Sequence, residues 1–331
     1  MCIKRKHVNA RIVGEVMKEY KIGKNEANQR FDKYLHKLLK EAGSGFLYKM
    51  LRKKNITLNG KKADGTEKLK EGDVVKLFLS DETFQKFSGE TILATEFLIP
   101  EAKREFELSI LYEDDDILII NKPKGMLSQK SSPSDFSANE YILDYLLRTN
   151  QVTAEELKTF RPSICNRLDR NTSGLLIAGK SLKGLQNMAE QLKSRSMKKY
   201  YRCIVKGTVT KPQKISGYLL KDEKTNQVTV LKENTDKAKY IETEYQPIMQ
   251  YQGKYTLLEV HLITGRSHQI RAHLASIGNP ILGDEKYGNH ALNQELAKRF
   301  SIKGQLLHAY RLEFPDGFIV TAPLPEEFSY F

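Results

Sequence analysis

Short helical and short extended hydrophobic patterns alternate over residues 29–80. Apolar side chains recur every three or four positions after Asn28 and again after Ser44, which predicts two short amphipathic helices. Two extended runs follow. The first ends at the tight-turn pair Asn59-Gly60 and the second covers residues 73–79, so both predict strands. We therefore expect a small α/β unit at this end of the chain.

From Leu108 the pattern changes to strands separated by two helices. Continuous and alternating apolar runs predict five strands, at residues 117–120, 175–178, 201–205, 228–231 and 255–262. Helical spacing predicts the two helices, at residues 139–150 and 181–193. The fold class that we expect is α+β, built mainly on mixed or antiparallel β-sheet.

The regions outside these two patterned parts divide the chain into domains. Residues 1–15 show no pattern and predict a mobile basic tail, whereas residues 83–107 mix charges around Pro100 without a sustained period, which is typical of a linker. A chain of 331 residues also exceeds one ordinary core. We therefore predict the tail, a small module at 16–82, the linker and a larger domain at 108–331.

Positive charge is concentrated at the start of the chain. The net charge is +13, from 54 Lys and Arg against 41 Asp and Glu. Residues 1–80 contain 20 basic and 9 acidic residues, or +11, which leaves +2 for the other 251. A basic segment ahead of a near-neutral body is typical of a polyanion-binding module attached to an enzyme. A basic surface that only aids solubility is the alternative.

Composition also limits the compartment. With 40% hydrophobic and 29% charged residues the chain is typical of a globular protein, and no apolar run approaches the roughly 18 residues of a membrane span. The basic start is not followed by an apolar signal core. Cys2, Cys165 and Cys203 lack C-x-x-C spacing, which favours reduced thiols over disulfides or a zinc site. We expect a cytoplasmic protein without a membrane partner.

One polar segment, residues 166–175, precedes the buried strand and reads Asn-Arg-Leu-Asp-Arg-Asn-Thr-Ser-Gly-Leu. It places Asp169 between Arg167 and Arg170. A carboxylate flanked by cations is held ionised, and at the mouth of a strand it can meet a substrate. Asp169 is therefore a candidate nucleophile or base. The same residue types also build salt-bridged turns, so the charge pattern alone leaves both interpretations open.

This segment resembles the active-site loop of the RluA family of RNA pseudouridine synthases. Three further stretches resemble motifs of that family in the same order: Asn121-Lys122-Pro123-x-Gly125, Lys199 to Gly207, and Thr264 to Leu274 with its continuation through Asp284 to Gly288. The resemblance covers the chain from about residue 108 to its end. It implies isomerisation of uridine to pseudouridine within RNA, without a cofactor or a metal ion.

Residues 29–80 carry a second resemblance. Their order of elements, with Leu58-Asn59-Gly60-Lys61 and Glu71-Gly72-Asp73, resembles the alpha-L RNA-binding module of ribosomal small-subunit protein four, which is attached to many pseudouridine synthases. This resemblance implies that basic residues of the module contact RNA. The candidates are Arg30, Lys49, Arg52, Lys53, Lys54 and Lys61.

The first resemblance also implies roles for individual residues. Asp169 would be the catalytic aspartate, either attacking the sugar or deprotonating it in a glycal route. Arg271 would pair with Asp169. Tyr201, rather than Tyr200, would stack on the extruded uracil and take the C5 proton. The uracil must be extruded because a base inside a helix cannot be reached. The further candidates for RNA contacts are Arg167, Arg170, Asn166, Arg266, His268 and Gln269, with Asn166 standing where the family most often has His.

These features predict a monomeric two-domain enzyme, close to the members that act on large-subunit ribosomal RNA. One alternative keeps the chemistry and changes the substrate to transfer RNA. Another is a non-catalytic RNA-binding or ribosome-assembly protein that retains the fold. Other chemistries are disfavoured: His268 and His273 are five residues apart and do not share a helix face as metal ligands would. Cys165 is more typical of a small core residue than of a thiolate nucleophile.

Overall fold

The computed structural model describes residues 17–89 and 97–331, so the predicted tail at 1–15 and Cys2 lie outside the described residues. The chain divides into two compact units. The described part of the first unit comprises residues 17–89 together with Val152–Arg161, and the second unit comprises Phe97–Gln151 and Pro162–Phe331. No helix in the described part of the chain is long and apolar enough to cross a membrane.

The first unit contains a four-stranded antiparallel sheet and the two predicted helices. Its elements are β1 (Met17–Lys21), α1 (Phe31–Leu38), α2 (Ser44–Arg52), β2 (Ile56–Leu58), β3 (Lys61–Lys62), β4 (Val74–Phe78) and α3 (Asp81–Ser88), with sheet order β1-β4-β2-β3. The apolar stripes of both helices are buried, including Phe31, Leu35, Leu47 and Leu51. Asn59 and Gly60 both have positive φ, as a tight hairpin turn requires.

Two parts of this unit were not expected from the hydrophobic pattern. The helix α3 begins after the Ser80 cap, whose hydroxyl oxygen accepts a hydrogen bond from the Thr83 amide, and it extends into the segment for which a linker was predicted. The helix α5 (Glu156–Thr159) belongs to the first unit although its neighbours in sequence belong to the second. It contacts α1, and the Thr159 hydroxyl donates a 2.7 Å hydrogen bond to Glu26.

The second unit is built on a mixed sheet of eleven strands among the described residues. Its strands are β5 (Ile110–Glu113), β6 (Ile117–Lys122), β7 (Ser163–Ile164), β8 (Ser173–Gly179), β9 (Lys198–Lys206), β10 (Gln213–Asp222), β11 (Gln227–Leu231), β12 (Lys239–Tyr251), β13 (Tyr255–Leu262), β14 (Leu307–Glu313) and β15 (Ile319–Thr321). The α-helices of the second unit are α4 (Ala138–Arg148), α6 (Leu182–Ser194), α7 (Gln269–Ser276) and α8 (His290–Phe300). The α+β class and all five predicted strands of this region are confirmed.

The centre of the sheet brings distant segments together. Nine strands lie in the order β11-β10-β12-β13-β9-β14-β8-β6-β5, and β15 and β7 pair with β14 and β8. The strands β8 and β14 form a parallel pair within an otherwise antiparallel sheet. Gly174 makes this pairing possible, because it has φ +106° and a β-carbon there would lie 2.2 Å from the Ala309 carbonyl oxygen. The loop that carries Asp169 therefore opens beside β9 and β14.

Candidate active site

Asp169 is held by an arginine from a remote segment. The Arg271 Nη1 group, on α7, donates a 2.7 Å hydrogen bond to Asp169 Oδ2 across 102 residues of sequence. The Asp169 side chain is 26% exposed and that of Arg271 is 7% exposed. The carboxylate therefore reaches the open cleft that both residues line, and the guanidinium is buried more deeply. The predicted contact between these two residues is present.

Asp284 fixes the arginine from the other side. Arg271 Nε and Nη2 donate hydrogen bonds of 2.7 Å and 2.9 Å to the two Asp284 oxygens, a bidentate arrangement. Asp284 is fully buried, and its Oδ1 atom also accepts hydrogen bonds from the backbone amides of Lys286 and Tyr287. The sequence pattern indicates no role for Asp284, although the residue lies within the stretch that resembles the last family motif.

Arg271 lies between two carboxylates, those of Asp169 and Asp284, and this geometry determines its pKa. Burial alone would lower the pKa of Arg271, but the hydrogen bonds and charges of Asp284 and Asp169 outweigh burial and raise the pKa above its usual value. The Arg271 guanidinium also lies 5.2 Å from the centre of the Tyr287 ring. Arg271 is therefore a permanent cation in a fixed orientation beside Asp169.

Tyr201 and Tyr200 point to opposite faces of β9, because successive side chains of a strand alternate. Tyr201 is 7% exposed and lines the cleft, and its hydroxyl group has no hydrogen-bond partner among the described residues. Burial, with the charge of Asp169, raises the pKa of Tyr201, so the phenol stays neutral. Tyr200 instead stacks on His261, with ring centres 4.8 Å apart.

The Asn121-Lys122-Pro123-x-Gly125 segment braces the loop that carries Asp169. The Lys122 ammonium is fully buried and donates hydrogen bonds to three carbonyl oxygens, those of Pro123, Met126 and Arg170, at 2.8–3.1 Å. Burial lowers the pKa of Lys122, whereas the charge of Asp169 favours the ammonium form. The Ser128 hydroxyl adds a 2.7 Å hydrogen bond to the Leu168 carbonyl.

A basic cleft of about 1360 Å³ opens above Asp169. Twelve Lys and Arg residues but only three carboxylates line it, although residues 81–331 together carry a net charge of only +2. Among the described residues, nine of the twelve cations have no carboxylate within ion-pair distance: Arg167, Arg170, Lys193, Arg195, Lys199, Lys237, Lys239, Arg266 and Lys286. The second unit, whose net charge is only +5, therefore concentrates unneutralised positive charge at one place.

The predicted RNA-binding residues of this unit fall into two groups. Arg167, Arg170 and Arg266 are exposed cations that line the cleft. Gln269 is 1% exposed, and its side-chain amide is engaged with Glu242, Thr243, Thr264 and Arg266 within the protein. We therefore correct its assignment, because these bonds make Gln269 a support for the loop that precedes α7.

Asn166 supports the loop and lines the cleft. Its side-chain oxygen accepts a 2.8 Å hydrogen bond from the Ile177 amide, which closes the loop onto β8. Its Nδ2 group has no hydrogen-bond partner among the described residues, so its contact with RNA stays a prediction. His268 has positive φ at the start of α7, and its Nδ1 atom lies 2.9 Å from the Tyr287 hydroxyl. Burial lowers the pKa of His268, and its Nε2 atom lies 3.9 Å from Asp169 Oδ1.

The competing chemistries gain no support from the geometry. Burial raises the pKa of Cys165 to about 11, which disfavours a thiolate at neutral pH. Cys165 and Cys203 are both free thiols. His273 is buried against Thr243, and the described residues contain no cluster of three or more His, Cys, Asp or Glu side chains suited to a metal ion.

The basic candidates of the first unit are mostly unpaired. The exposed side chains of Lys49, Arg52, Lys53, Lys54 and Lys61 have no ion-pair partner among the described residues. Arg30 differs, because its guanidinium donates hydrogen bonds of 2.7 Å and 3.1 Å to Asp32. The free cations surround the end of α2 and the hairpin of β2 and β3.

Comparison with known proteins identifies the family. A profile of the RNA pseudouridylate synthase family matches residues 116–276. The chain is 34% identical over 320 residues to ribosomal large subunit pseudouridine synthase C of Buchnera aphidicola subsp. Baizongia pistaciae, covering 93% of this chain and 94% of that one. The protein of the same name from Vibrio cholerae is 31% identical and covers 88% of this chain and 87% of its own length.

A solved structure agrees in fold. Human RNA pseudouridylate synthase domain containing 4 superposes with a TM-score of 0.54 at 22% sequence identity, covering 67% of this chain and 90% of that chain. The chain therefore belongs to the RNA pseudouridylate synthase family, which confirms the class of enzyme that its motifs predicted.

Proposed function

We propose that this protein isomerises uridine to pseudouridine in large-subunit ribosomal RNA, with Asp169 as the catalytic residue. The relatives that match most of its length are named for the ribosomal large subunit, and they supply the substrate class. The observation that carries the chemistry is the Asp169 carboxylate, held 2.7 Å from Arg271 at the floor of a basic cleft.

Asp169 would start the reaction at the ribose. It either attacks C1′ or removes a proton from the sugar in a glycal route, and the N1–C1′ bond breaks in both cases. The uracil leaves with the bonding electrons and turns within the pocket. C5 then bonds to C1′ while the Asp169–C1′ ester bond breaks, or, in the glycal route, while the removed proton returns to the sugar. The C5 proton is then lost and N1 gains a proton, so no cofactor takes part. Both routes need a carboxylate oxygen directed at the ribose, and the 2.7 Å hydrogen bond from Arg271 fixes the orientation of that carboxylate.

Tyr201 and the basic cleft would hold the flipped nucleotide. The Tyr201 ring offers a stacking surface beside Asp169, and its hydroxyl, which has no partner among the described residues, can relay the C5 proton. Arg167, Arg170 and Arg266 would neutralise the phosphates of the flanking strand. A single-stranded or loop region fits this cleft because unstacking is least costly there.

We further propose that the first unit is an alpha-L type RNA-binding module. Its exposed cations on α2 and on the β2–β3 hairpin support this assignment. The free thiols Cys165 and Cys203 agree with the cytoplasmic location that we propose.

The substrate is tested by mapping pseudouridine. The protein is incubated with protein-free large-subunit ribosomal RNA and, separately, with total transfer RNA, and every converted uridine is located by chemical mapping. We expect conversion at defined positions of the ribosomal RNA. Conversion of transfer RNA alone would show that transfer RNA is the substrate. If neither RNA is converted, the experiment is repeated with ribosomal RNA in partly assembled particles. Absence of pseudouridine in all three would overturn the proposed activity.

Replacement of Tyr201 by Phe tests the proton-transfer role. The ring stays in place, so RNA affinity should change less than about threefold, while turnover should fall by roughly a hundredfold or more because a positioned acid or base is lost. Tyr200→Phe is the matched control, since Tyr200 stacks on His261 on the opposite face of β9. Equal losses in the two variants would contradict the assignment of Tyr201.

Neutralising the module tests its RNA contacts. Lys49→Gln with Arg52→Gln removes two exposed cations from the last turn of α2. We expect weaker binding of long structured RNA, and a slope of log affinity against log salt that is shallower by roughly one to two. Lys298→Gln with Arg299→Gln, in the last turn of α8, is the control with the same charge change. Identical slopes for both pairs would show that the module's charge only aids solubility.

A further inference from the structure

Lys199 is an unpaired cation in the wall of the cleft. Its side chain is half-buried, and none of the described residues gives it a carboxylate partner or a hydrogen bond. Its ammonium group lies against the backbone of Gly265, where a β-carbon would come within 3.5 Å of it. Burial lowers the pKa of Lys199, and the neighbouring charge of Arg195 lowers it further. A partly desolvated ammonium without a counter-ion is costly, and an anionic ligand would relieve that cost.

The opposite face of β9 shows that this lack of a partner is specific to the cleft. There Arg202 lies 2.9 Å from Glu259, and Arg311 lies within 3.3 Å of both Glu259 and Glu313. Those cations are neutralised by carboxylates of the same sheet. Lys199 and Tyr201 occupy alternate positions of β9, so they share the face that lines the cleft.

Arg195 strengthens the positive field at Lys199. It ends α6 with φ +61° and ψ +24°, lines the cleft, and has no ion-pair partner among the described residues. The left-handed backbone turns the chain back toward β9, which begins three residues later at Lys198. Two neighbouring cations without a carboxylate between them repel each other and favour an anion that bridges them.

We propose that Lys199, assisted by Arg195, binds the phosphodiester group adjacent to the flipped uridine. This inference rests on the proposed function and adds a contact to it. Two residues along a strand span about 6.6–6.8 Å. That span lets β9 contact one nucleotide at two points, the base through the Tyr201 ring and the backbone through the Lys199 ammonium. The strand would thereby fix the position of the ribose over Asp169.

Lys199→Met and Lys199→Arg test this contact in the full-length protein. The probe is a stem-loop RNA that contains one uridine converted in the mapping experiment. For Lys199→Met we expect the KM to rise about tenfold or more while kcat changes less than threefold, because a charge-assisted bond to the substrate backbone is lost. Lys199→Arg should retain most of the affinity. Lys198→Met is the matched control, since Lys198 is the adjacent exposed lysine on the other face of β9.

A neutral linkage identifies the phosphate. A methylphosphonate at either linkage of the target uridine, or at a linkage three nucleotides away, is compared in the wild-type protein and in Lys199→Met. One adjacent linkage should raise the wild-type KM about as much as Lys199→Met does, with no further rise when the two changes are combined. Additive losses at every linkage would overturn the proposal.

The remaining outcomes distinguish a failure of the proposed phosphate contact from a failure of the proposed function. Equal KM values for Lys199→Met and Lys198→Met, with normal wild-type turnover, would overturn the phosphate contact alone. Absence of product from the wild-type protein on all the RNAs would overturn the proposed function together with this contact. Thermal unfolding of both methionine variants shows whether a rise in KM comes from misfolding. In that case the KM of Lys199→Arg, which keeps the positive charge, decides whether the charge binds the RNA.

Discussion

Asp169→Asn is expected to lower kcat by roughly four orders of magnitude or more, because no cofactor shares the bond-breaking step and the amide neither attacks nor deprotonates the ribose. The fold should survive. Arg271 keeps its bidentate hydrogen bonds to Asp284, so the buried guanidinium still has a partner after the charge at Asp169 is removed. Single-turnover formation of pseudouridine, thermal unfolding and RNA affinity measured on the same preparation check these three statements.

A second aspartate provides the control for this variant. Asp115 is exposed in the turn between β5 and β6, and Asp115→Asn makes the same chemical change away from the cleft. We expect its turnover to equal that of the wild-type protein. Retained turnover in Asp169→Asn would instead assign the chemistry to Glu223 or Glu285, the other carboxylates that line the cleft.

Replacement of Arg271 is expected to damage both activity and stability, and the structure shows how to separate the two effects. Arg271→Met leaves Asp284 fully buried without its cation, which destabilises the fold by about 3–5 kcal/mol. Turnover should fall by roughly a hundredfold or more, because Asp169 loses the group that orients it. Denaturant unfolding and kcat are the two measurements.

Two further variants separate the roles of Arg271. Arg271→Met combined with Asp284→Asn removes the uncompensated buried charge, so part of the stability should return while turnover stays low. Arg271→Lys keeps one positive charge but cannot reproduce the fork that contacts both Asp169 and Asp284. Recovery of turnover in the double variant would show that Arg271 acts only as a structural partner of Asp284.

The hydrophobic pattern predicted elements well where one face of an element is buried. The helices α1 and α2 have buried apolar stripes and begin within two residues of the predicted starts, and the strand β13 has the predicted bounds. The pattern did not indicate α5, a single turn whose burial depends on α1 more than a hundred residues earlier. Short elements carry too few periodic positions to be recognised without their tertiary partner.

The residues of the candidate site also divide into those that the sequence predicted and those whose roles depend on tertiary partners. Its motifs predicted roles for Asp169, Tyr201 and Arg271, which line one cleft, and alternation along β9 explains why Tyr201 and not Tyr200 faces that cleft. Local sequence did not reveal that the amide of Gln269 is used up by hydrogen bonds within the protein, or that Asp284 anchors Arg271. Those functions depend on partners from β12 and from the segment after α7.

The sequence by itself determined the family and the class of fold and predicted Asp169 as the reactive residue, because residue order within motifs and hydrophobic period are local properties of the chain. Only the tertiary structure decided where charge acts. The second unit has a net charge of only +5, yet folding places around one cleft nine cations that have no carboxylate partner among the described residues. It also sends the carboxylates of β13 and β14 to the opposite face of the sheet. Electrostatic interactions depend on distance and burial in space, which a linear count of charges does not contain.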